Sequence, residues 1–562
     1  PKPDLNDAIT TQYKEATSGV EEILTRVWQE VLGMERIGVQ DNFYELGGDS
    51  IKAVQIAARL KNYGKRLEVR YLFQHPTIED VRGYVESTVL EVPQHEVKGE
   101  SKLTPIQHWF FGNKLTNNHH WNQAMMVYRK DGFNQTYLET VLAKLVHHHD
   151  ALRATFQEAE GEMGQRVSLP NEQTYSLLEY ELYQESAVDQ AVEAICNELQ
   201  RSIDIENGPL LKACLFRTAE GDHLALIVHH LVIDGVSWRI LLEDLIEGYR
   251  QAEEGEIIQL PLKTHSYQEW GEGLASYAQQ TAVLRQAGYW NSVEQRPMVY
   301  FPKDVEVGNG TWRDGKTKSI HLSEEETRKL LTEVHKAYRT EINDILLTTL
   351  GRAVKKWTGQ EQLAIQMEGH GREEILKGID ISRTVGWFTT EFPFFIDVSG
   401  EDLSYHIKKV KEDLRKIPDK GIGYGILKYL TPKEKHSIPF KLKPEVSFNY
   451  LGEMDGGLKE EGIQGSFLSA GDQISPESER LYPIDVTGMT IKDKLYLNIN
   501  YDSTRFKETS IEKLLVILLE ELLLIIEHCL LKEEVDLTPS DLGDNELTFD
   551  ELEDISSILS EI

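Results

Sequence analysis

Two short stretches of this chain carry residues whose types and spacing could do chemistry. The first is LALIVHHLVIDGVSWRILLEDL (224–245), which sets His229, His230, Asp234 and Gly235 between an apolar run and a helical pattern. In extended structure neighbouring side chains point to opposite faces, so His229 and His230 cannot share one cavity. One imidazole is then structural. The other is available as a neutral proton carrier, with an unperturbed pKa of about 6.5. A His, His, Asp metal site is disfavoured, because adjacent histidines are poorly placed around a single ion. The second stretch is NFYELGGDSIKAVQ (42–55), where Ser50 follows Gly47, Gly48 and Asp49 at the start of a helix. A nucleophile elbow, G-x-S-x-G, fails because Lys52 stands where the last glycine belongs. That leaves a helix cap, or a hydroxyl carrying a phosphate that the free N–H groups of the helix start would stabilise.

The elements around these stretches divide the chain. Residues 1–16 read as a polar linker. Val20, Ile23, Leu24, Val27, Trp28, Val31 and Leu32 share one helical face. A second helix is expected from about Ser50 to Tyr63 with Gly64 as its stop, then a short segment near Val69–Phe73, then a helix after Thr77 running to about Leu90. Together, 17–90 make a small four-helix bundle, followed by a polar linker at 91–100. From Lys102 the texture is mixed α/β: Leu224–Val228, Lys441–Tyr450 and Leu495–Tyr501 suit strands, and Ile342–Trp357 suits a helix. The unit at 101–532 is expected as two lobes, about 101–295 and 296–532. Residues 533–562 hold eleven Asp or Glu and no Lys or Arg. There Thr548 and Glu551 fit a capping box, ahead of a stripe of Phe549, Leu552, Ile555, Ile558, Leu559 and Ile562, which suits an amphipathic docking helix.

Composition narrows the class. The 562 residues exceed one ordinary core and imply about two to four units. A formal net charge of −33 disfavours nucleic acid and anionic membrane surfaces as partners. The greasy stretch Leu514–Leu531 is broken by Glu520, Glu521 and Glu527 and reads as a core helix rather than a membrane span. Three scattered cysteines (Cys196, Cys214, Cys529) suggest a reducing, cytoplasmic setting without a disulfide frame. His119-His120 and the run His147 to His149 read as packing residues, the latter with no carboxylate expected around it.

Taken with its bundle, the serine motif resembles the peptidyl carrier domain of nonribosomal peptide synthetases. The family pattern D-x-F-x-x-L-G-G-[HD]-S is met by Asp41, Phe43, Leu46, Gly47, Gly48, Asp49 and Ser50. The resemblance implies a 4′-phosphopantetheine arm on Ser50 bearing an aminoacyl thioester, with Gly47, Gly48 and Asp49 as the loop around it. Aspartate at the position of Asp49 is common in carriers that deliver to an epimerase. The H-H-x-x-x-D-G stretch resembles the condensation superfamily, which includes chloramphenicol-type acetyltransferases and has two lobes meeting at a cleft, with the second histidine in the tunnel. Within it, PIQHWF (105–110), EGHGRE (368–373), RTVGWFT (383–389), GIGYG (421–425) and FNYLG (448–452) follow the order of epimerisation domains.

This likeness implies an isomerase that needs no metal. Removing and returning an α-proton calls for an acid/base group on each face of a planar enolate and a donor at its oxygen. His230 and Glu368 fill the two faces, from opposite lobes. Partial desolvation would raise Glu368 toward neutrality. Asn449 and Tyr450 are expected to position the thioester or polarise its carbonyl. Asp234 and Arg383 are expected to form an ion pair holding the histidine loop, beside His229 and Gly235. The implied partners are an upstream adenylation domain, a phosphopantetheinyl transferase, and a downstream condensation domain reached through Phe549, Leu552, Ile555 and Leu559. The chain resembles the ends of synthetase subunits that activate phenylalanine, which makes L-Phe the expected substrate. A peptide-bond-forming condensation domain and an idle recruitment domain on the same fold are the alternatives.

Overall fold

A computed structural model describes residues 13–87, 92–171, 173–306, 310–453 and 462–542. The first helix, Gly19–Leu32, opens with a capping box in which Ser18 accepts from the Glu21 N–H and Glu21 accepts from the Ser18 N–H. It ends at Gly33, whose φ of 69° is left-handed. The Ser50–Leu60 helix tightens into a 3₁₀ turn, Lys61–Tyr63, and stops at Gly64. Short helices Val69–Gln74 and Ile78–Val81 complete the bundle. The last is shorter than its apolar pattern suggests: one 3₁₀ turn to Tyr84 follows, and Glu86 then bridges to Arg66 as extended chain. Gly83 and the β-branched Val85 weaken helix there. Leu24, Trp28, Phe43, Ile56, Leu60 and Ile78 form a core separate from that of the rest of the chain.

The large unit is a two-lobed α/β fold. In the first lobe, strands run in the order Asn122–Arg129, Gly221–His229, Leu211–Thr218, Ser176–Glu181, with helices Gln135–His148 and Gly235–Glu253 packed together. The second lobe is a six-stranded sheet ordered Thr390–Asp397, Gln362–Gly369, Val446–Glu453, Ile484–Ile491, Lys494–Asp502, Gly315–His321. Helices Ile342–Thr358 and Glu508–Leu530 pack on each other behind it. A division near 295 does not separate the two sheets cleanly, because Ile463–Gly465 leaves the second lobe and pairs with Val127–Arg129 of the first. The strand expected from Lys441 starts at Val446, past Pro444, which has no N–H for a ladder.

The Glu508–Leu530 helix buries Leu514, Leu518, Leu522 and Ile525, and its Glu521 pairs with Arg352 at 2.7 Å. Among the described residues no helix is long and apolar enough to cross a membrane. Beyond it, residues 538–541 lie against the second lobe. The Lys411 ammonium donates to both Asp541 oxygens (2.8 and 2.7 Å), and Ser540 donates to Glu412. Phe549, Leu552, Ile555 and Leu559 lie outside the described residues.

Candidate active site

The Gly221–His229 strand ends at the histidine pair, and His230 opens a tight turn to Val232. The two rings part as alternation requires. His229 is buried, bonded through Nε2 to the Asn118 carbonyl (2.8 Å), and accepts from the Leu231 N–H at Nδ1. Burial pulls its pKa to about 3, so it is a neutral structural group. His230 instead faces the cleft. Its Nδ1–H donates to the Ile233 carbonyl at 2.7 Å, which leaves Nε2 as the acceptor. The Gln123 amide donates to that Nε2 at 2.9 Å, and Gln123 is itself oriented by the Trp238 indole N–H on its oxygen (2.8 Å). Trp387 lies 4.3 Å from the imidazole, and burial lowers the pKa of His230. The result is a neutral base with one fixed tautomer. Gln123 lies in no motif, and Trp238 and Trp387 stand inside the quoted stretches without a role assigned there, since each reaches His230 only through the fold.

Asp234 holds this corner, but with a different arginine from the one expected. Its Oδ1 caps the next helix at the Ser237 N–H (2.7 Å), and its Oδ2 accepts from the Phe388 N–H (2.9 Å). The facing cation is Arg372, 3.4 Å away, which also donates to the Ile381 and Thr384 carbonyls. Arg383 lies one helical stretch further on and pairs with Glu243 (2.9 Å) and Asp244 (2.6 Å). Sequence order does not separate the two arginines. Ser237 and Asp244 face the 372–388 segment from different turns of one helix, and each receives the arginine at its own height. Gly235, the first residue of that helix, has open space where a Cβ would stand.

The second group comes from the sheet of the other lobe. Glu391 stands directly opposite Glu368 in the antiparallel register. The parallel neighbour continues the row through Asn449, and Ser447 is paired with Asp485 on the next strand. Four adjacent strands therefore turn Glu391, Glu368, Asn449 and Asp485 to one face. Asn449 donates to Glu368 Oε2 at 2.6 Å, and Arg480 donates to Asp485 at 2.6 Å. Burial, then the charge of Asp485, raise the pKa of Glu368 to about 7, with the Asn449 hydrogen bond opposing. Asp485 is raised by burial to about 6.

His230, Gln123, Glu368, Glu391, Tyr482 and Asp485 line one cavity of about 840 Å³, whose other walls include Trp109, Trp121, Trp312 and Trp387. Tyr450 does not line it. One residue past Asn449, it turns to the other sheet face over Gly488, close to Leu346. Its phenol lies toward the carrier, where Asp49, Glu453 and Arg239 bear on it.

The carrier is seated on the large unit. Lys52 pairs with Glu453 (3.3 Å), Arg59 with Glu243 (3.5 Å), Lys61 with Asp380, and Lys336 with Glu45 (3.3 Å). A Cβ on Gly452 would meet Ile51 at 3.3 Å and Asp49 at 3.5 Å, so the serine end of the bundle abuts the strand that carries Asn449. Asp49 has two duties here. Its Oδ1 caps the helix at Ile51 (2.9 Å) and Lys52 (2.8 Å), and its charge supports the half-buried Arg239. With the cap supplied by Asp49, the half-buried Ser50 hydroxyl at the first helical position is not needed for it. Gly47 takes a φ of +78°, and a Cβ on Gly48 would strike the Phe43 ring at 2.5 Å, so both glycines are required by the loop that presents Ser50. The free hydroxyl at a helix start fits a covalently attached phosphopantetheine.

One histidine cluster does have a carboxylate beside it, against expectation. His148, His149 and Asp244 set their ligand atoms within 4.8 Å of one another, because the adjacent helix brings Asp244 across. Asp244 already accepts from His149 (2.9 Å) and from the Arg383 guanidinium, and a cation beside that guanidinium is repelled. His120 donates to the Asp472 carbonyl, and His119 accepts from the Ile205 N–H, both as packing groups.

Two lobes, a histidine turn on one and a carboxylate row on the other, with a serine-presenting bundle at the cleft, define the class. Residues 97–548 match the condensation domain family and residues 22–85 the phosphopantetheine attachment site family. The chain belongs to the condensation domain family of nonribosomal peptide synthetases, with a phosphopantetheine-bearing carrier ahead of the condensation-type domain. Gramicidin S synthase 1 of Brevibacillus brevis is 44% identical over 575 residues, covering all of this chain and 52% of that protein. Surfactin synthase subunit 2 of Bacillus subtilis is 45% identical over 564 residues, covering 16% of its length. The chain thus spans about half or less of these relatives. Among solved structures, the epimerization domain from the third module of tyrocidine synthetase B is 41% identical, with a TM-score of 0.77 over 79% of this chain and 100% of that one. The X-domain from teicoplanin biosynthesis, at 16% identity and a TM-score of 0.62, shares the fold.

Proposed function

We propose that this chain epimerises the α-carbon of an aminoacyl group held as a thioester on the Ser50 arm. The observation that carries the reading is the facing of two proton carriers across one cavity, His230 with its Nε2 acceptor and Glu368 raised to about 7, while the carrier's serine end abuts the strand of Asn449. Near neutral pH the pair rests as neutral imidazole and partly protonated carboxyl. His230 Nε2, released by the Gln123 amide, then accepts the α-proton on one face while Glu368 donates on the other; after the product leaves, a proton passes through solvent from imidazolium to carboxylate and resets the pair. Asn449 orients Glu368, and the Gln123 amide is the N–H donor closest to His230. A peptide-bond-forming domain has no need of a second proton carrier across the cavity, and an idle platform needs neither.

L-phenylalanine is the substrate we infer: four tryptophans wall the cavity, and gramicidin S synthase 1 and tyrocidine synthase 1 are relatives of which this chain covers about half, 52% and 53%. The arm is installed by a phosphopantetheinyl transferase, and an upstream adenylation domain loads it. The acidic tail delivers the product to a downstream condensation domain through Phe549, Leu552, Ile555 and Leu559.

The test is α-hydrogen exchange with deuterated water after loading Ser50 with an L-aminoacyl pantetheine. Glu368→Gln and His230→Ala are each expected to lose at least roughly 100-fold in exchange rate while remaining folded. Undiminished exchange in both variants overturns the two-group mechanism.

A further inference from the structure

Besides Glu368, the carboxyl groups of Glu391, Asp472 and Asp485 line the cavity, where the proposed proton chemistry needs only one. Glu391 is the register partner of Glu368, so their β-carbons stand about 5 Å apart on one face. The Tyr482 hydroxyl (2.9 Å) and the Gln366 amide (3.4 Å) both donate to Glu391 Oε2, so Oε1 keeps its acceptor capacity. Asp485 has Arg480 as its counter-charge. Among the described residues no Lys, Arg or His lies within ion-pair distance of Glu391 or Glu368. Burial and the neighbouring Glu368 hold the half-buried Glu391 well above the usual carboxyl range, against the opposing pull of the Tyr482 hydroxyl and the Lys428 ammonium. Its ionised form is therefore disfavoured until a further cation arrives to meet it.

We propose that Glu391, braced by Tyr482, is the subsite for an ammonium group of the substrate, and that this ammonium is the free α-amino group of an aminoacyl thioester. The proposal rests on the epimerase reading. If Glu368 handles the α-proton, the α-nitrogen is one bond from the reacting carbon and within reach of the carboxylate beside it. A side-chain ammonium would have to fold back to reach the same oxygen, while the tryptophan walls offer apolar space. The consequence is a choice of substrate class. An N-acylated, peptidyl group has no charge to draw Glu391 into its ionised form and so gains nothing from it, which favours aminoacyl over peptidyl carriers as substrates.

The full chain, loaded on Ser50 with L-phenylalanyl, N-acetyl-L-phenylalanyl or Nα-acetyl-L-ornithyl pantetheine, tests this by α-hydrogen exchange. The parent is expected to exchange the free amine faster than the N-acetyl analogue by roughly 10-fold to 100-fold, the worth of a charged hydrogen bond. Glu391→Gln should erase that ratio by slowing the free amine alone, and Glu391→Asp should restore part of it. A loss of fold or of Glu368 alignment would slow both substrates together, so the ratio isolates the subsite. Equal parental rates on both phenylalanyl substrates, or a ratio unchanged in Glu391→Gln, overturn the subsite and leave the epimerase reading standing. No exchange on any substrate overturns the epimerase reading itself. Fast, Glu391-dependent exchange of the Nα-acetyl-ornithyl group overturns the α-amino assignment in favour of a side-chain one.

Discussion

His230 and Glu368 face the same cavity and are held by opposite kinds of structure. The imidazole is set by its own turn: the Ile233 carbonyl three residues on, the strand end before it, and Asp234 capping the helix after it. Glu368 has no such local support. Its neighbours Glu391, Asn449 and Asp485 come from three other strands, and only the sheet register brings them together. A local corner fails as a unit, whereas a register-built face fails one contact at a time. Asp234→Ala removes a helix cap, the acceptor for the Phe388 N–H and the counter-charge of buried Arg372. The expected loss is about 3–5 kcal/mol, as for breaking a buried pair from one side. Urea unfolding measures it; a loss under about 1 kcal/mol would mean that the corner is held by packing alone.

The carboxylate face predicts the reverse sign. Folding raises the pKa of Glu368 from 4.5 to about 7, so the folded state binds its proton more tightly than the unfolded chain. Stability conferred by this group is therefore intact at low pH and is lost as pH rises from the unfolded to the folded pKa. Glu368→Gln carries no charge to bury. It should be more stable than the parent at pH 8 by roughly 1–3 kcal/mol, with the difference vanishing as pH falls toward about 4.5. Thermal unfolding at the two pH values checks the sign. A variant less stable at pH 8 would show that the Asn449 hydrogen bond outweighs burial.

The same contrast decides what could be read from the residues. The histidine corner was legible because its geometry is local: alternation required one ring inward and one outward, the family resemblance put His230 in the cleft, and Asp234 sits where a cap belongs. The identical alternation separates Asn449 from Tyr450 and would have placed only one of them in the cavity. Glu368 was reached through a motif, but Glu391 and Asp485 carry no local signal. Each becomes part of the site only by standing opposite a residue of another strand. Arg372 and Arg383 both belong to quoted motifs, and Arg383 was expected where Arg372 stands because distance across the cleft is not written in spacing. The serine loop was legible down to its glycines, while the exchange of duties between Asp49 and Ser50 required the cap to be seen.

That exchange gives the smallest effect and the finest test of local against non-local support, since Asp49 belongs to both kinds. It caps its own helix and, through Arg239 and Gly452, touches the large unit. Asp49→Ser retains a side-chain acceptor for the Ile51 and Lys52 N–H groups but drops the charge. Asp49→Ala drops both, at about 1 kcal/mol of helix stability. In amide hydrogen exchange of the full chain, protection of the carrier helix should fall in Asp49→Ala and hold in Asp49→Ser. Protection of the segment around Arg239 should fall in both, because serine brings no charge to support its half-buried guanidinium. If Asp49→Ser leaves the Arg239 segment as protected as the parent, the aspartate is a cap alone, and the carrier is held by Lys52, Arg59 and Lys61.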